Sequence, residues 1–217
     1  MTTAIIGTGN VGSALARHLV SGGETVRLAA RDETGAAALA AGLGPLASAG
    51  TVAEAISNSD AVVLAVWFEV LKQVVGEHTG LLDGKVVIDP SNPIGFGADG
   101  ALIRTLPEGQ SQGSLVAAML PAGAHYVKAF GTLGADSLAS SANRSPRRAA
   151  LFYASDDDRA ARATERLITV AGFDPVRVGG LADAGRIEGP DGDLAQGGGL
   201  GGQVVDASQA RAALAAA

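Results

Sequence analysis

Apolar residues along the chain fall into short runs separated by helical spacing. Thr3-Ala4-Ile5-Ile6 predicts a strand, and Val11, Leu15 and Leu19 then recur every four residues, the face of a helix stopped by Gly22-Gly23. Thr25 to Ala29 predicts a second strand, Thr34 to Ala41 an alanine-rich helix, Pro45 to Ser48 a short edge strand and Thr51 to Ser57 a short helix. The run Asp60 to Val66 is continuously apolar after its first residue, which is how a strand covered on both faces reads. Further strands are expected at Lys85–Ile88, Tyr126–Phe130, Ala150–Tyr153 and Val176–Val178. Helices are expected at Phe68–Val75, at Ser114–Met119 and from an Asp156 N-cap to Ala171, with Gly172 as the stop.

Strand and helix thus alternate to about residue 180. The pattern predicts an α/β fold, Rossmann-like and doubly wound: a mostly parallel sheet with helices on both faces and right-handed connections. Composition changes after Gly179. Gly189-Pro190-Asp191-Gly192 reads as a turn, Gly197 to Gly202 as a flexible hinge, and Ala207 to Ala217 as a weak, loosely docked helix. The expected organisation is a nucleotide-binding unit over 1–180 and a small, glycine-rich, flexible C-terminal segment over 181–217.

Composition narrows the chemistry. The 217 residues carry a net charge of -6, which disfavours nucleic acid as the main partner. There is no cysteine, so disulfides, thiolate metal sites and cysteine nucleophiles are excluded. Ala4-Ile5-Ile6 is too short for a secretory core, and the longest uncharged stretch, Thr34 to Ala53, is rich in Ala and Gly and holds Pro45, unlike a membrane span. A cytoplasmic protein with no membrane span is therefore expected.

One motif stands in its required context. Gly7-Thr8-Gly9-Asn10-Val11-Gly12 follows a predicted strand and opens a periodic helix, as G-x-G-x-x-G must. Gly7 permits the tight turn, Gly9 lets backbone approach a pyrophosphate, and Gly12 lets the helix pack on the sheet. Amides from Thr8 to Val11, with the helix dipole, offer an anion site. At the end of the second strand, where an acidic residue would accept from the ribose hydroxyls of NAD, the chain reads Ala30-Arg31-Asp32. A guanidinium at Arg31 suits a 2′-phosphate, so NADP is favoured, while Asp32 keeps NAD open if the strand ends one residue later.

Ligands of open α/β sheets bind at the C-terminal edge of the strands. Three loops leave that edge: Val66-Trp67-Phe68-Glu69, Asp89 to Gly95, and Phe130 to Gly134. Trp67 could flank a planar ring or pack in the core. Asn92 and Thr132 could orient a carboxamide or a substrate carbonyl, or serve local turns. No acid–base constellation and no metal site are legible. His18, His78 and His125 lack partners at ligand spacing, and Asp156-Asp157-Asp158 reads as a helix start. Arg144, Arg147 and Arg148 form a basic loop, either a solvated edge or a contact for an acidic tail.

Taken together, Ile5 to Gly12, Ala30-Arg31, Ser59 to Val66, Val87 to Pro93, Val127 to Ala135 and Gly172 to Val176 make the chain, from Thr3 to about Glu188, resemble the NADP oxidoreductases that use the deazaflavin coenzyme F420. The resemblance implies direct hydride transfer between NADPH and the deazaflavin co-substrate, with no catalytic acid or base. It implies that Thr8, Asn10 and Val11 hold the pyrophosphate, that Arg31 reads the 2′-phosphate, and that Asn92, Pro93 and Thr132 line the hydride-transfer cleft. Val66 joins the coenzyme-binding set, and Trp67 the cleft. The chain departs from the pattern at Ala30, where relatives often carry Ser or Thr, at Gly131, where many carry Asn, and after Glu188. Gly131 would either cost a hydrogen bond near the nicotinamide or leave room for another substrate. The alternatives are an NADPH-dependent reductase of another flavin-like, carbonyl or imine substrate, or a non-catalytic dinucleotide-sensing module. Proteins of this type commonly pair, so a homodimer is compatible, though no dimer face is legible.

Overall fold

A computed structural model describes residues 1–216. Eight strands form one sheet in the order β10-β9-β8-β5-β4-β1-β2-β3. They are β1 (Thr2–Ile6), β2 (Thr25–Ala29), β3 (Ala47–Ala49), β4 (Ala61–Leu64), β5 (Val86–Asp89), β8 (His125–Ala129), β9 (Ala150–Ala154) and β10 (Asp174–Gly179). Every pairing is parallel except β8 with β9. The fold is α/β and Rossmann-like, with the strand order reversing beside β1 as in doubly wound sheets.

The central strands read as unbroken apolar runs because both faces are buried. Ile5, Val63, Ile88 and Val127 pack with Leu15, Leu19 and Leu167 on one side. Ile6, Val62, Leu64 and Val87 pack with Leu71 and Val116 on the other. The helices involved are α1 (Asn10–Ser21) and α7 (Asp158–Val170) on the first face, and α4 (Phe68–Leu82) and α5 (Gln112–Met119) on the second. Two further helices, α2 (Glu33–Leu43) and α3 (Val52–Ser57), follow β2 and β3.

The structure differs from the sequence expectation at several elements. An antiparallel hairpin, β6 (Ile94–Phe96) with β7 (Leu102–Arg104), and a helix α6 (Ala135–Ser140) were not foreseen. α4 runs on beyond the expected Val75 to Leu82, past a non-helical His78. α7 is capped by Asp157, not Asp156: Asp157 accepts from the Ala160 amide at 2.8 Å, while Asp156 accepts from the Leu181 amide.

After β10, a 3-10 helix (Leu181–Ile187) brings the chain back over β9 and β10, burying Ile187, Leu194 and Val205 with Phe152 and Val176. The glycine-rich stretch makes close backbone contacts there. A Cβ on Gly198 or Gly199 would overlap the carbonyl of Gly192 or Asp193 respectively. The final helix, α8 (Ala207–Ala216), buries Ala210; Ala217, the last residue of the helix expected from the sequence, lies outside the described residues. The basic loop holds this segment, with Arg144 donating to the Val204 carbonyl and Arg147 to Asp206.

Asp206 accepts from the Gln209 and Ser208 amides and from Arg147, and these bonds hold its carboxyl below the ordinary value of 3.8. A lowered native pKa contributes stability that is fully present above the unfolded value and is lost as pH falls through the native one. The melting temperature should therefore decline faster below pH 3.8 in the wild type than in Asp206→Asn, a difference that differential scanning calorimetry would resolve.

Candidate functional site

The loop between β1 and α1 is built by three glycines with different duties. Gly7 has φ +99°, and a Cβ there would overlap the Ala65 carbonyl and lie 2.7 Å from Val66 Cγ1, so the half-buried Val66 after β4 packs directly on the turn. A Cβ on Gly12 would overlap the carbonyl oxygen of Gly7. Gly9 differs: a Cβ there would meet nothing within 4 Å. Its side of the loop is open, which suits backbone reaching a ligand.

Gly9 is also the N-cap of α1, and no side chain caps it. The Ser13 amide is the donor that bonds back to the Gly9 carbonyl, at 2.8 Å. The amides of Asn10, Val11 and Gly12 precede it, and helix geometry gives them no intrahelical acceptor. No acidic side chain occupies the first turn, and Ser13 Oγ donates to the Thr8 carbonyl at 2.7 Å, fixing the loop. Uncapped amides, an aligned dipole and an open face together fit an anionic diphosphate.

At the end of β2, Arg31 is exposed and, among the described residues, makes no ion pair. Asp32 is the N-cap of α2 and accepts from the Gly35 amide at 3.0 Å. The carboxylate is thus engaged by its own helix, while the guanidinium is free.

Along the same edge, the structure joins the loops after β5 and β8. Asn92 Nδ2 donates to the Gly131 carbonyl at 2.7 Å, leaving Asn92 Oδ1 buried without a partner. Gly131 allows this: a Cβ there would stand 2.5 Å from the Pro90 carbonyl oxygen, so this glycine makes a close approach and opens no extra space. Thr132 is buried, its carbonyl accepts from the Gln196 amide, and its Oγ1 is unpaired. The Pro93 carbonyl accepts from the Thr105 amide and so anchors the base of the β6–β7 hairpin. Trp67 is not a core residue. It is 57% exposed and sits edge-on to Phe96 of the hairpin, with ring centroids 6.4 Å apart.

Sequence reasoning missed a buried polar network behind these loops. Asp89, at the end of β5, accepts from the Ser91 amide (2.8 Å) and Ser91 Oγ on one oxygen, and from Tyr126 OH (2.9 Å) and Lys128 Nζ (3.1 Å) on the other. Lys128 also donates to the Ser91 carbonyl, and Gln112 Nε2 to Ser91 Oγ. Asp89 and Lys128 are almost wholly inaccessible. Burial, and then the Asp89 charge, push the Tyr126 hydroxyl well above its ordinary pKa, so it stays a donor. The available signal was charge inside apolar strands, Asp89 after Val86-Val87-Ile88 and Lys128 between Val127 and Ala129.

The histidines lie elsewhere. His18 Nε2 is 3.0 Å from the Leu138 carbonyl, and His125, at the opposite end of β8, pairs with Asp157 at 2.6 Å. Burial raises the Asp157 carboxyl, but the bonds from His125 and from the Ala160 and Arg159 amides outweigh it and hold the carboxyl below its usual range. Among the described residues, no three acidic or histidine side chains cluster as metal ligands would, and no helix is long and apolar enough to cross a membrane.

A glycine-turned strand–helix junction at the open edge of a doubly wound parallel sheet places the protein in the Rossmann-like α/β class. Residues 2–93 match the model of a family described as NADP oxidoreductase, coenzyme F420-dependent. A hypothetical protein of Sinorhizobium meliloti is 31% identical, with 90% of this chain and 93% of that one aligned at a TM-score of 0.78. The chain belongs to this family of NADP-linked oxidoreductases. At the level of fold it is also similar to an Arthrobacter protein provisionally named as an F420-dependent NADP reductase (21% identity, 84% and 86% of the two chains, TM-score 0.72). An imine reductase variant from Myxococcus stipitatus in complex with NAD+ aligns with 83% of this chain but only 55% of its own (22% identity, TM-score 0.60).

Proposed function

We propose that this protein transfers hydride between NADPH and the deazaflavin coenzyme F420. The observation that carries the coenzyme half is the uncapped, open α1 N-terminus at Gly9, with the unpaired Arg31 at the end of the neighbouring strand. In this reading the amides around Thr8, Gly9, Asn10 and Val11 hold the pyrophosphate, and Gly7 and Gly12 shape the turn. Arg31 pairs with the 2′-phosphate by charge-assisted bonds. The free acceptor Asn92 Oδ1 and the Thr132 hydroxyl receive the carboxamide at the nicotinamide end, with Val66 and Pro93 as apolar walls. Residues 1–180 carry the coenzyme site, and 181–216 brace its acceptor side.

The bound coenzyme supplies the hydride; the chain supplies proximity and orientation. Exposed Trp67 and Phe96 offer apolar surface to a flat acceptor ring. Reduction of a carbonyl or imine would need a proton donor facing the cleft. The ionisable donors behind the loops, Lys128 and Tyr126, both already serve Asp89, which favours an acceptor that needs little acid help.

The test is to mix the full chain with NADPH and oxidised deazaflavin and follow absorbance; turnover is expected, and its absence in both directions rejects the proposal. Arg31→Ala should weaken NADPH binding ~10–100-fold, the value of one or two charge-assisted hydrogen bonds, and leave NADH binding within about twofold. Calorimetry showing equal losses for both nucleotides would place Arg31 away from the phosphate.

A further inference from the structure

The buried network behind Asn92 is larger than the fold requires at that point. Asp89 and Lys128 form an ion pair at 3.1 Å with side-chain exposures of 0% and 1%. Desolvating two charges is expensive, and well-packed apolar residues would do as well or better for stability alone. What the pair does locally is hold a loop. Asp89 grips Ser91 through its amide and hydroxyl, Lys128 grips the Ser91 carbonyl, and Gln112 grips the hydroxyl from behind. The next residue is Asn92.

The other side of Asn92 is held by an equally costly device. Phe130, two residues after Lys128, has φ +66° although it is not glycine, and it is buried. A left-handed backbone at such a residue costs about 1–2 kcal/mol and persists only where its surroundings enforce it. It is followed directly by the Gly131 carbonyl, which accepts from Asn92 Nδ2. Asn92 is therefore clamped from both strands, and its Oδ1 is left as a buried acceptor with no partner.

We propose that Lys128 is a positioning residue for the ring end of the coenzyme. It acts through Asp89 and Ser91 to present Asn92 Oδ1 to an amide donor. The proposal rests on the coenzyme reading above but not on the identity of the acceptor. Two ligands separate ring recognition from phosphate recognition: NADP+, and 2′-phospho-ADP-ribose, which has the same phosphates and no nicotinamide.

The full-length wild type should prefer NADP+ over 2′-phospho-ADP-ribose by about fivefold or more in calorimetry, the value of one buried hydrogen bond. In Lys128→Met/Asp89→Asn, which removes both charges together and keeps the side-chain volumes, the preference should fall below about twofold while the affinity for 2′-phospho-ADP-ribose is unchanged. Retention of the preference overturns the proposal. So does an equal loss for both ligands, because a purely structural pair would damage the whole site alike. Tyr126→Phe, which deletes one donor to Asp89 and spares the ion pair, serves if the double variant fails to fold. It should reduce the preference measurably, and an unchanged ratio there also overturns the proposal. A wild type that binds neither ligand removes the coenzyme reading itself, whereas one that binds both without preference overturns this proposal alone.

Discussion

Gly12→Ala is expected to lower NADP affinity at least ~100-fold, close to 3 kcal/mol of binding free energy. In an ordinary helix the same exchange would be favourable by about 1 kcal/mol, since alanine is the better helix former. Here the new methyl would overlap the carbonyl oxygen of Gly7, a backbone atom, and a Cβ has no rotamer by which to escape. Relief requires α1 to move away from β1, which carries the Asn10 and Val11 amides away from the turn that aims them. Gly9→Ala is the contrasting case. Its methyl meets nothing within 4 Å in the free protein, so melting should be nearly unchanged while binding falls, because the methyl occupies the open face of the loop. Calorimetric titration with NADP, together with melting curves for both variants, distinguishes the glycine that shapes the cradle from the one that faces the ligand. Wild-type affinity in Gly9→Ala would take the phosphates out of the loop.

This contrast also marks what the sequence could carry. The β1–α1–β2 unit is legible because each of its signals is local: an apolar run, a glycine pattern, a four-residue helical repeat and a cation 19 positions on. The β6–β7 hairpin is not, because its strands have three residues each and lie among Gly, Pro and Asp, where no alternation can develop. Asp156, Asp157 and Asp158 are equivalent as letters, and only the start of the helix decides that Asp157 meets the Ala160 amide. The stretch 197–202 suggests a free hinge by composition, yet the missing side chains are also what lets Gly198 and Gly199 lie against the carbonyls of Gly192 and Asp193. Asn92 and Thr132 could be proposed for the site from their loops. Their hidden support could not, because Asp89 and Lys128 are 39 residues apart and meet only through the β5–β8 register.

Glu188 is the strongest instance of such hidden support, and its replacement should cost the most stability. Its side chain is fully buried, and its carboxylate accepts from Ser111 Oγ (2.9 Å) and from the Gln112 (3.0 Å) and Gly113 (2.7 Å) amides, the first turn of α5. Arg104 of β7 stands 3.8 Å away and also pairs with Asp191. One carboxylate thus ties the start of α5, the β6–β7 hairpin and the C-terminal segment together. The positive end of the α5 dipole and the guanidinium make its burial tolerable. Glu188→Ala leaves three buried donors and a partly buried cation without their acceptor, a loss of about 3–5 kcal/mol. For a protein of this size that is roughly a 10 °C fall in melting temperature. Glu188→Gln should recover only part of it, since one amide oxygen replaces two carboxylate oxygens and the new NH2 group faces donors. Because Gln112 also holds Ser91, loosening α5 should reach the Asn92 loop, so the Glu188→Ala variant should lose preference for NADP+ over the ringless nucleotide as well as heat resistance. A melting temperature within about 2 °C of wild type, less than 1 kcal/mol, would show that the carboxylate's partners find water instead and that α5 is held by its apolar face alone.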